Sequence, residues 1–284
     1  MSGTIDEHVY GPVRLHLYHK DRAGLATITL SDPRRRNALG PAMFDGLETT
    51  ILQLEALTAA TRFHPFHQAP PSDAVRVIIL QAEGSSFCAG FDIALLVDDP
   101  DQQQPLLASF LRRLAGCVRR LRALPAVSIA SVQGSALAGG CALAAACDLA
   151  VASPDARFGY PTHAIGLSPA VSGPVLNARV GSGSTRSMLL GGTTMDATAA
   201  LRCGLVCTCA PSNESLAEIV MEMACKLLNK APHALAATKR WLQDLDHSID
   251  PTNAKSALDA SLITVGSDDS RRMLREGWLS RQKN

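Results

Sequence analysis

The chain reads as an α/β protein, with strands and helices interleaved over residues 1–210 and helices alone over 211–284. Three observations predict this. The apolar runs 75–82 and 127–132 have the length and branched-residue content of buried strands, and each breaks at a glycine-containing turn. Around them, apolar residues recur at helical spacing, as in Leu107, Phe110, Leu111, Leu114, Val118 and Leu121. From Glu214 onward the pattern is helical almost to the end, over 214–229, 232–246, 254–265 and 269–282.

Composition narrows the function classes. Hydrophobic residues make up 46% of the 284, enough for a sizeable core. A net charge of +1 argues against a generic polyanion binder, and 4% aromatics leave few platforms for stacking bases. No nucleic-acid partner and no membrane partner are therefore expected, since no apolar run approaches a bilayer span. The start, MSGTIDEHVYG, has neither the basic nor the apolar region of a secretory signal, so a cytoplasmic protein is expected. The eight cysteines fit that compartment as small hydrophobes, and Cys203, Cys207 and Cys209 lack a second ligand pair for zinc.

In chain order, 13–17 and 25–30 alternate as two paired strands around a turn near 21–24. Pro33 and three arginines follow. Pro41 opens a helix with Met43, Phe44, Leu47, Ile51 and Leu54 on its core face. The proline-rich run 58–73 reads as an insertion loop, with His64 and His67 as loop histidines. Residues 97–105 read as a mobile loop. The helix after it carries Arg112, Arg113, Arg119, Arg120 and Arg122, expected to form a solvated face. Further helices are expected at 172–180, 184–191 and 196–203, and a strand at 205–209.

The organising stretch is 132–152. A buried strand breaks at Gln133-Gly134 and reaches Gly139-Gly140 where a helix of Ala, Leu and Cys begins. Glycines at a helix entrance let backbone N–H groups approach a ligand, and the positive end of the helix favours negative charge there. The other stretch, 75–93, ends in Phe87-Cys88-Ala89-Gly90-Phe91-Asp92. Together, F-C-A-G-x-D, a following Q-G-x-A-x-A-G-G, and an earlier P-x-x-x-N-A-L (33–39) resemble the enoyl-CoA hydratase/isomerase (crotonase) superfamily. Ala138 stands where the family has the first of three glycines.

The resemblance implies a crotonase (ClpP-like) β-β-α spiral core over 1–210 and a helical oligomerisation region over 211–284, giving a homotrimer or a dimer of trimers. It implies an acyl-CoA or acyl-carrier-protein thioester as partner, with no cofactor beyond coenzyme A as part of the substrate and no metal. The N–H groups of Phe91 and Gly139 would hold the thioester carbonyl and the enolate formed from it. Arg34 and Arg36 would meet a coenzyme phosphate. Ala38, Ala89, Asp92, Ile93, Gly140, Ala142 and Thr162 complete the expected substrate wall, with Asp92 securing the turn.

The acid–base half departs from the pattern. The hydratases of the family carry one glutamate two residues after the last glycine of the triplet, here Ala142. They carry the second after F-G-x-P, here Thr162. An ordinary two-glutamate hydratase is therefore not expected, because a positioned acid or base is worth about 10²–10⁴ in rate. Tyr160 and His163 are the candidate replacements, with Asp98 and Asp99 on the neighbouring loop as outside possibilities. The expected activity is a lyase, decarboxylation above all, or an isomerase. The alternatives are a catalytically silent thioester-binding subunit and a hydratase with a relocated acid–base pair.

Overall fold

The computed structural model describes residues 5–63, 74–99 and 101–281. Its frame is a seven-stranded sheet in the order β1-β2-β3-β4-β5-β7-β10, built from β1 (Ile5–Tyr10), β2 (Val13–Tyr18), β3 (Leu25–Leu30), β4 (Val77–Ala82), β5 (Val127–Val132), β7 (Leu149–Ala152) and β10 (Thr208–Cys209). The first three strands pair antiparallel, and β3, β4, β5, β7 and β10 run parallel. Every residue of β3 and β5 is buried, as expected of parallel strands covered on both faces. A small second sheet joins β6 (Ser135–Leu137), β8 (Arg157–Gly159) and β9 (Thr194–Asp196).

On one face of the sheet, Ala26, Ile28, Ile78 and Leu80 pack in the main core with Phe44, Leu47 and Ile51 of α1 (Pro41–Phe63). The same core takes in α2 (Ile93–Asp98), α3 (Gln103–Ala123), α4 (Gly139–Ala146) and α5 (Gly173–Gly191). Gly181, at φ +73°, interrupts α5 where two separate helices are expected. The short α6 (Ala197–Arg202) leads to β10. On the other face Leu25, Val77, Ile79, Val127 and Val151 meet Leu216, Val220 and Leu227 of α7 (Leu216–Leu228). The helical region after residue 210 thus supplies the second layer of the sheet. It continues as α8 (Pro232–Asp246), α9 (Pro251–Leu262) and α10 (Asp268–Arg281).

Four expectations are corrected. β1 has no counterpart in the sequence reading, because its Asp6, Glu7 and His8 lie on an exposed edge with no apolar alternation. Helix α1 runs to Phe63, through the first residues of the expected insertion loop; 64–73, with His64 and His67, lie outside the described residues. The segment read as a mobile loop is helical on both sides, and Asp99 Oδ1 accepts from the N–H groups of Asp101 and Gln102 at 3.0 and 3.3 Å. The arginine face of α3 is not simply solvated. Arg113 pairs with Glu48 at 2.6 Å, Arg120 with Glu55 at 2.7 Å, and buried Arg122 with Asp246 at 2.6 Å, so three of the five arginines fasten α3 to α1 and α8.

Candidate active site

The two glycine turns are built onto each other by backbone bonds. Cys88 N–H donates to Ser135 C=O at 2.9 Å, and Leu137 N–H donates to Cys88 C=O at 3.0 Å. This short parallel bridge fixes how the chain after Cys88 faces the chain after Leu137. A Cβ on Gly140 would lie 2.3 Å from Cys88 O, so glycine is required there for close packing and not for ligand access. On the other side Leu39 N–H donates to Gly90 C=O and Asp92 N–H to Leu39 C=O, at 2.8 and 3.2 Å. Phe91 lies between those two partners, and its own N–H turns away from Leu39. The Phe91 ring is clamped in a trio with Phe44 and Phe110, at centroid distances of 6.3 and 5.5 Å.

Gly139 opens α4, where the first N–H groups of a helix have no intrahelical acceptor. Neither the Phe91 nor the Gly139 N–H donates to any of the described residues. Ala138, just before, has φ +49° and ψ −111°, backbone territory that favours glycine, and its N–H donates to Gly159 C=O at 2.8 Å. Such strain costs on the order of 1–3 kcal/mol and persists only where the surroundings impose it.

Phe91 and Gly139 line one cavity of about 430 Å³. Its apolar body comes from Leu111 and Leu114 of α3, Leu137, Ile165, Leu167 and Val171, with Arg36 at the rim. Of the expected substrate wall, Arg36, Ala89, Ile93 and Thr162 line it. Arg34, Ala38, Asp92, Gly140 and Ala142 do not. Arg34 is exposed, and its neighbour Arg35 binds Asp92 at 3.0 Å. Asp92 therefore ties the arginine loop to the start of α2. Ala142 is fully buried inside α4.

The acid–base candidates separate clearly. His163 is exposed on a 3-10 turn (His163–Ile165) and does not line the cavity, which corrects its candidacy. Tyr160 does line it but is fully buried, with its hydroxyl lacking a hydrogen-bond partner among the described residues. Cys141 and Ser172 lie beside that hydroxyl without hydrogen-bond geometry, and burial pushes its pKa well above the ordinary value of 10. Tyr160 can act as a neutral donor and not as a base near neutrality. Thr162 Oγ1 is likewise buried and unpartnered. Two hydroxyls that sequence reasoning missed, Ser168 and Ser172, also line the cavity, and nothing in their spacing marks them. No carboxylate or histidine is among the described lining residues, and no described cluster of His, Cys, Asp or Glu is placed to hold a metal.

The C-terminal helices hold this wall. Val171 N–H donates to Ser261 Oγ at 2.8 Å and Ser168 N–H to Thr264 Oγ1 at 3.3 Å. Gly166, at φ +70°, passes so close to α10 that a Cβ would lie 2.6 Å from Ser270 Cα. No described helix is long and apolar enough to cross a membrane.

Comparison with known proteins identifies the family. A family model described as enoyl-CoA hydratase/isomerase matches residues 20–283. Enoyl-CoA hydratase domain-containing protein 3, mitochondrial, of Mus musculus is 33% identical over 220 residues, covering 78% of this chain and 67% of its own. The 2,3-dehydroadipyl-CoA hydratase of Escherichia coli (strain K12) is 31% identical over 217 residues, covering 76% of this chain and 77% of its own. The crystal structure of an enoyl-CoA hydratase/isomerase from Xanthobacter autotrophicus Py2 superposes with a TM-score of 0.77 at 27% identity, over 96% of this chain and 98% of that one. With the crotonase fold, the paired glycine turns and a match over nearly its whole length, the chain belongs to the enoyl-CoA hydratase/isomerase family.

Proposed function

We propose that this chain binds an acyl-CoA thioester in the cavity and polarises its carbonyl with the N–H groups of Phe91 and Gly139, stabilising an enolate. The observation that carries the reading is that pair of uncommitted N–H groups on the wall of one largely apolar cavity. Such donors act on charge as it develops and are worth about 2.7–4 kcal/mol each. The acyl chain lies among Leu111, Leu114, Ile165 and Leu167. Among the described lining residues Arg36 is the sole cation, and it sits at the rim, so the deep end suits a neutral acyl group. An anionic group, which loss of the glutamates would admit, finds hydroxyl donors there but no cation.

Three readings of the reaction remain. Hydration is favoured by the relatives, most of which carry hydratase names, and it takes precedence over the decarboxylation expected from residues alone. Water addition here would rely on the hydroxyls of Tyr160, Thr162, Ser168 and Ser172. A lining without a carboxylate supports a slow hydratase, a lyase or an isomerase. The fold's helical C-terminal region supports a trimer or a dimer of trimers.

Mass spectrometry after incubation with enoyl-, β-methyl-enoyl- and malonyl-type CoA thioesters separates these outcomes. Gain of water identifies hydration, and loss of carbon dioxide identifies decarboxylation. Tight binding without a change of mass is either isomerisation or a silent thioester-binding subunit, which the ultraviolet absorbance of the conjugated enoyl thioester tells apart. Failure to bind any of the esters refutes the proposal.

A further inference from the structure

Ala138 carries a side chain where the backbone favours none. Its φ of +49° and ψ of −111° belong to the glycine region, and the residue after it is glycine. The methyl is half-buried, and Ala138 lines the cavity. A Cβ added to Gly90 would lie 3.3 Å from Ala138 Cβ, which places the methyl over the Gly90 backbone. Gly90 immediately precedes the donor Phe91, and Ala138 immediately precedes the donor Gly139. The methyl therefore sits beside the two turns that present the N–H groups, on the lining of the cavity they share.

We propose that the Ala138 methyl is a steric selector that restricts the site to acyl groups unbranched at the carbon next to the thioester carbonyl. The proposal rests on the carbonyl being held by Phe91 and Gly139. An oxygen held by both N–H groups leaves its α-carbon one bond beyond the carbonyl carbon, within reach of a methyl beside the donors. A straight chain carries only hydrogens at that carbon and passes. A methyl branch adds a group that meets the Ala138 methyl, which the Gly90 backbone beneath it holds in place.

The test compares butyryl-CoA with isobutyryl-CoA, ligands that differ in branching at the α-carbon, by competitive calorimetry on the full chain. The wild type is expected to prefer butyryl-CoA by roughly tenfold or more, the scale of one misplaced methyl group. In Ala138→Gly the preference shrinks at least several-fold through tighter isobutyryl-CoA binding, with butyryl-CoA affinity little changed. Ala138→Ser, similar in size, keeps the wild-type preference. A purely structural role would move both ligands together, so an unchanged ratio in Ala138→Gly overturns the proposal. Equal binding of both esters by the wild type overturns it too while leaving the thioester reading intact. Binding of neither ester by the wild type refutes that reading and this one with it.

Discussion

The two walls of the cavity are made in different ways. The wall of Phe91 and Gly139 is a backbone construction, locked by the Cys88 bonds to Ser135 and Leu137 and by the closeness of Gly140 to Cys88. The wall of residues 160–172 is a run of turns held from outside by Ser261, Thr264 and the start of α10. What the first wall offers a ligand is N–H groups, which survive almost any side-chain change. What the second offers is side chains, and there this chain presents hydroxyls and apolar groups. Chemistry supplied by backbone is fixed with the fold, whereas chemistry supplied by side chains can be lost or replaced without disturbing it.

The largest expected effect comes from putting a carboxylate into the helix behind the first wall. Ala142 is fully buried, so Ala142→Glu should lower unfolding stability by about 3 kcal/mol or more in urea titration. Unchanged stability would mean the helix opens onto the cavity there. Gly139→Pro removes the donor at a helix position that tolerates proline, and its Cβ would press on the flexible ends of Leu39 and Leu114. Turnover should fall about 10²–10³-fold while the circular dichroism spectrum stays intact.

The second wall should accept new chemistry. Thr162→Glu places a carboxyl at the cavity lining, and any hydration rate should rise on the order of 10²-fold. Apolar surroundings raise the pKa of such a group, so a carboxylate base gains activity as pH rises through that raised value. A rate unaffected by pH between 5 and 8 would count against it.

A smaller effect is expected in alkali. Burial pushes the thiols of Cys88 and Cys141, both in the first wall, up to about 12 from 9.0. Their contribution is complete below pH 9, where folded and unfolded thiols are both protonated. It is lost as pH rises from 9 towards 12, because the unfolded chain ionises first. Each should cost about 1 kcal/mol by pH 10, measured by urea titration at fixed pH values. The smallest effect is expected of Tyr160→Phe. With its pKa held well above 10, Tyr160 stays protonated near neutrality, so the variant should leave the shape of the pH–rate profile from 6 to 9 unchanged.

How much the sequence revealed follows the same division. The strands 25–30 and 127–132, the helix from Pro41 and the two glycine turns are legible because burial and backbone conformation restrict the residues that can occupy them. The edge strand β1 is not, since exposed charged residues carry no alternation. Nor is the partnership of Arg35 with Asp92, or of Arg113 and Arg120 with α1, because residues tens of positions apart meet only in the fold. At the site, it is the resemblance to the family that points to the N–H groups of Phe91 and Gly139, and the glycine turns before them are readable in the sequence. Ser168 and Ser172 are not, and the expectation for His163 fails because the 3-10 turn carries it outward.

The central claim is that the two N–H groups polarise a thioester carbonyl, and an isotope-edited infrared difference spectrum tests it most directly. A thioester labelled with carbon-13 at its carbonyl is bound to the protein and compared with the same ester in water. The account predicts a shift of the carbonyl stretch to lower frequency on binding, largely abolished in Gly139→Pro. A bound ester whose carbonyl stretch is unchanged, or shifted equally in wild type and variant, would contradict it.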